Sequence, residues 1–82
     1  MILKYKLNKH LLARAAAELV WKLQQIDTSI SIISERMLNA KSLVGVLSGN
    51  LRYGTEIQIL FEKEEELNKI TEAFDEVGER LE

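Results

Sequence analysis

The 82-residue sequence contains no cysteine, no proline and one histidine. Without cysteine there is no disulfide framework, no thiolate metal site and no cysteine nucleophile. With His10 as the one imidazole, a catalytic triad or a zinc site would have to rest on that residue or on carboxylates alone. The four glycines are scattered, so none builds a phosphate-cradling loop. A strong charge of one sign is missing too. Eleven Lys and Arg against 13 Asp and Glu give a net charge of −2, which argues against sequence-independent nucleic-acid binding. No apolar run approaches the roughly 20 residues of a membrane span. Lys4 and Lys6 interrupt Met1-Ile2-Leu3 too early for a secretory signal. These absences predict one soluble, cytoplasmic domain over residues 1–82, with no metal, no cofactor, and no direct nucleic-acid or membrane partner. They also make a conventional enzyme a poor reading.

What is present is ordinary for a globular protein, with 46% hydrophobic and 29% charged residues, so the chain can build a core. Leu3, Tyr5 and Leu7 alternate with Lys4 and Lys6, the period of a half-buried strand. Over residues 12–24 the period changes: Ala16, Leu19, Val20 and Leu23 fall at helical spacing. Ile30, Ile32 and Ile33 read as a second strand, Ser34-Glu35-Arg36 as a turn, and Met37 to Ala40 as a third strand. A two-turn helix fits between Ser42, a good N-cap, and Gly49-Asn50, a good stop. Arg52 to Thr55 reads as a turn, and Ile57, Ile59 and Phe61 as a further strand. Leu67, Ile70, Phe74, Val77 and Leu81 predict one helix over residues 63–81, with Glu64, Glu65 and Glu66 at its dipole-favoured start. The order is strand, helix, strand, strand, helix, strand, helix. It predicts an α+β fold with a four-stranded antiparallel sheet and its helices on one face.

Few residues offer chemistry. His10 lies between the first strand and first helix, where a lone histidine is usually just solvated. The acidic run from Glu62 to Glu66 reads as a solvated helix start. Trp21 falls about 180° from the apolar stripe of its helix, beside Arg14 and Gln25. It marks either a contact surface or partial burial under a loop. Ser42 is either a simple cap or a phosphorylation site, because a phosphate of roughly −1.5 to −2 charge would face unpaired amides there.

The stretch Asn39-Ala40-Lys41-Ser42-Leu43-Val44-Gly45-Val46-Leu47-Ser48, followed by Gly54-Thr55-Glu56-Ile57, resembles the HPr phosphocarrier family of the sugar phosphotransferase system. Ala13-Arg14-Ala15-Ala16-Ala17 resembles that family's His-Ala-Arg-Pro-Ala-Ala signature from its second residue on. The resemblance implies an open-faced β-sandwich of order βαββαβα. It also implies that Leu12 occupies the phosphohistidine position, Ala15 the following proline and His10 the glycine two residues before. On this reading there is no catalytic residue. His10 is a distant alternative acceptor in a divergent phosphocarrier, Arg14 keeps an anion-binding place, and Ser42 keeps the place of the regulatory serine. The family's docking helices would here offer Leu12, Ala17, Trp21, Val44 and Leu47. A leucine at the histidine position with the serine retained is similar in logic to the Crh-like branch. The implied partners are HPr kinase/phosphorylase and a catabolite repressor protein. A degenerate paralogue serving as an interaction module, or a homodimer, is left open.

Overall fold

The computed structural model of the chain describes residues 1–81. Strand β1 (Ile2–Leu7) buries Leu3, Tyr5 and Leu7 and exposes Ile2, Lys4 and Lys6, so the alternation in the sequence becomes the two faces of a sheet. Helix α1 (Ala13–Gln24) buries Ala16, Leu19, Val20 and Leu23. Strands β2 (Ile30–Ile33) and β3 (Met37–Asn39) form a hairpin closed by the Ser34 amide donating to the Arg36 carbonyl. Helix α2 (Leu43–Ser48) follows, then strand β4 (Glu56–Phe61). A 3-10 turn (Glu64–Glu66) leads into helix α3 (Leu67–Asp75), and strand β5 (Gly78–Leu81) completes the described chain.

The sheet is antiparallel throughout, in the order β3-β2-β4-β1-β5. Its buried face, carrying Leu3, Tyr5, Leu7, Ile30, Ile32, Ile57, Ile59 and Phe61, meets the apolar stripes of α1 and α3 in one core. Tyr5 and Phe74 pack ring to ring across that layer at 5.8 Å. The α+β class and the open-faced arrangement are as the sequence predicts.

The sheet has five strands rather than four, and the final helix is shorter than its apolar spacing implies. Residues 63–81 do not form one helix: α3 ends at Asp75, and Gly78–Leu81 pairs with β1 in the register Leu7↔Gly78 to Lys4↔Leu81. Gly78 explains the break. A Cβ there would lie 2.6 Å from the Lys6 carbonyl oxygen, so only glycine lets the backbone reach β1. Leu81 continues the helical spacing by coincidence and in fact lies on the sheet. At the turn before β4, the Thr55 amide donates to the Arg52 carbonyl with Gly54 at φ 88°, the positive φ that a type II turn needs at its third residue. The left-handed residue after α2 is Asn50 (φ 52°), while Gly49 caps the helix in a right-handed conformation.

Candidate functional site

Four hydrogen bonds hold α1 and α2 side by side and antiparallel. The Leu11 amide donates to the Leu51 carbonyl, joining the start of α1 to the chain just after α2. His10 Nδ1 accepts from the Tyr53 amide at 3.0 Å in the same region. At the other end, Gln24 Nε2 donates to the Lys41 carbonyl, and Lys41 Nζ donates to the Ile26 carbonyl. The start of α1 therefore meets the end of α2, and Ser42 lies by the end of α1. Leu12 and Ser42 stand at opposite ends of the helix pair and are not brought together.

Leu12 is the N-cap residue of α1, with extended backbone and no side-chain cap. Its side chain is 44% exposed, although leucine has nothing to offer the unpaired amides there. Ala13, the first helical residue, has φ 36°, an unfavourable conformation for alanine. This strained start is invisible in an alanine-rich sequence that reads as plain helix. Arg14 is exposed in the first turn. His10 is more than a solvated histidine. By accepting from the Tyr53 amide, its Nδ1 holds the imidazole against the Arg52–Thr55 turn. Nothing in the local sequence signals a contact spanning 43 residues.

Ser42 caps α2 as expected: its Oγ accepts from the Gly45 amide at 3.1 Å, and its carbonyl accepts from Val46. The hydroxyl is half-buried, and the amides of Leu43 and Val44 are the first of the helix. The other end of α2 is held by Arg36, whose guanidinium donates to the Ser48 carbonyl at 2.6 Å. The outer side of α2 is apolar, with Val44 78% exposed and Leu43 and Leu47 also exposed. Tyr53, in the turn before β4, is exposed as well.

Trp21 is 64% exposed on the outer side of α1, so the reading of burial under a loop is set aside. With Ala17, Glu18, Lys22 and Glu76 it lines an open hollow of about 490 Å³. Lys22 and Glu76 form an ion pair between α1 and the residue after the last of α3. Among the described residues no group of His, Asp and Glu could hold a metal ion, and no helix is long and apolar enough to cross a membrane.

Residues 3–80 match the family model described as "PTS HPr component phosphorylation site". Among solved structures, a Mycoplasma histidine-containing phosphocarrier protein matches with a TM-score of 0.80 and 23% identity, covering 93% of each chain. The phosphocarrier protein HPr from Bacillus anthracis str. Ames matches at 0.79 and 26% identity, over 94% of this chain and 93% of its own. HPr-C-His from Thermoanaerobacter tengcongensis matches at 0.77 and 24% identity, over 94% and 88%. Among curated proteins no sequence matches this one. The chain belongs to the HPr family of the phosphotransferase system.

Proposed function

We propose that this chain is a regulatory HPr-like protein of the Crh-like kind, working by protein binding and switched by phosphorylation of Ser42. The observation that carries this reading is Leu12: at the head of α1, where the family resemblance expects the phosphohistidine, the side chain has no atom able to accept a phosphoryl group. Arg14, to which the resemblance gives an anion-binding place, is exposed in the first turn. Ser42 and its neighbours are retained, at a half-buried but reachable cap. Transfer of the ATP γ-phosphoryl to Ser42 Oγ would release ADP and the hydroxyl proton. It would set a dianion beside the exposed Val44 and Leu47. A partner reading both features would bind the phosphorylated form in preference, and HPr kinase/phosphorylase and a catabolite repressor protein are the implied pair. The same reading makes the protein cytoplasmic and not itself an enzyme.

The divergent carrier using His10 is the weaker reading. Its Nδ1 is engaged by the Tyr53 amide, so phosphorylation there would first have to break that bond. Incubation with HPr kinase and ATP, followed by mass spectrometry, tests the proposal. Phosphate on Ser42 is the expected result, and its absence removes the serine switch and the corepressor role toward a catabolite repressor protein that it would serve. Incubation with enzyme I and phosphoenolpyruvate should leave His10 unmodified; an acid-labile phosphate on it would revive the carrier.

A further inference from the structure

The hollow beside Trp21 has a chemistry that the serine switch does not use. Its lining combines an exposed indole and the Ala17 methyl with the carboxylates of Glu18 and Glu76 and the ammonium of Lys22, a formal charge of −1. Lys22 is already paired with Glu76, which leaves Glu18 as the uncompensated charge of the set. A purely apolar occupant would take these carboxylates out of water with nothing in return. An anionic one would meet net negative charge. A cation with an apolar stem satisfies both halves of the lining: the stem lies on Ala17 and the indole edge, and the head meets the ring face and a carboxylate. A planar guanidinium fits better than an ammonium, because it stacks on an aromatic face while its N–H groups fork toward a carboxylate.

We propose that the Ala17–Glu18–Trp21–Glu76 hollow receives an arginine side chain of the protein that docks on α1. This rests on α1 being a docking face and not on the phosphorylation of Ser42. It gives that partner a definite chemistry: an arginine presented to the outer side of α1 beside the end of α3.

Trp21 is the one tryptophan of the chain, so its indole N–H resonance reports on the hollow alone. The unphosphorylated, isotope-labelled protein is titrated with N-acetyl-arginine methylamide and, at matched ionic strength, with N-acetyl-lysine methylamide. The arginine probe is expected to shift the Trp21 indole signal and the amides of Ala17, Glu18 and Glu76, saturably and about threefold more tightly than the lysine probe. Glu18→Gln should weaken it by about two- to fivefold, Trp21→Leu should abolish the localised shifts, and Trp21→Phe should retain most of them. Shifts spread evenly over the surface, equal response to the two probes, or indifference to Glu18→Gln would overturn the assignment. Trp21 is mostly exposed, so these variants keep the fold, and the dispersion of the same spectra verifies it. Arginine binding with no kinase reaction at Ser42 would remove the serine switch and leave this site standing; the reverse result would remove this site alone.

Discussion

The Tyr5 hydroxyl donates to Asp75 Oδ1 at 2.6 Å, tying the middle of β1 to the last residue of α3. The ring is fully buried while Asp75 is exposed, so this bond joins the sheet layer to the helix layer at the edge of the core. Burial, then the hydrogen bond and the negative charge of Asp75, raise the Tyr5 pKa above its ordinary value of 10.0.

Tyr5→Phe keeps the ring contact with Phe74 and frees Asp75 to water. It should cost about 1–2 kcal/mol in urea unfolding. Because the folded pKa is raised, the contribution of the phenol is complete below the unfolded value near 10 and falls away as pH rises above it. Wild-type stability should therefore decline more steeply than that of the variant on the alkaline side. Parallel slopes above pH 10 would show that folding does not raise the phenol's pKa.

The fifth strand has its own test. A Cβ on Gly78 would lie 2.6 Å from the Lys6 carbonyl oxygen and 3.3 Å from the Leu7 Cα, and both are backbone atoms that cannot swing aside. Gly78→Ala should destabilise the fold by roughly 1–3 kcal/mol. It should also speed hydrogen exchange of the β5 amides while leaving those of β2 and β4 protected. Unchanged β5 protection would mean that the close approach is not what holds this strand.

This strand also marks where the sequence stops being informative. The elements with a strong period, β1, α1, β4 and the body of α3, are legible because one face of each is buried. Residues 78–81 contain one apolar side chain, and it happens to continue the α3 stripe. Their strand character comes from pairing with β1, a partner more than 70 positions away. The site divides in the same way. The Ser42 cap follows from local pattern, whereas the exposure of Trp21, which the pattern leaves open, is decided by the packing of α1. The His10–Tyr53 bond and the positive φ of Ala13 are imposed by how the loops meet, and neither residue type predicts them.

The cap at Ser42 and its proposed phosphorylation are separable, and two substitutions divide them. Ser42→Ala removes the acceptor for the Gly45 amide and should cost about 1 kcal/mol, along with all kinase-dependent phosphate. Ser42→Asp can cap the same amide, so its thermal midpoint should stay near wild type while it too is refractory to the kinase. If both variants lose stability equally, the hydroxyl is held by more than the cap seen at Gly45.

The proposal that Leu12 stands in the phosphohistidine place can be tested by substitution. Leu12 leads into α1, the strained Ala13 still turns the chain into the helix, and Arg14 still stands in the first turn. Leu12 is 44% exposed, so an imidazole in its place would reach solvent and an incoming phosphoryl donor without disturbing the core. The amides that open α1 remain available to a developing negative charge. Leu12→His should therefore take up an acid-labile phosphate from enzyme I and phosphoenolpyruvate, while the wild-type chain takes up none under the same conditions. Phosphate at the introduced histidine would place the loss of function in one side chain on an otherwise retained scaffold. No phosphate, with an unchanged fold by NMR, would mean that the surface around α1 no longer admits enzyme I. The exposed Trp21, Val44 and Leu47 are the first residues to replace with polar side chains in that case, singly and then together.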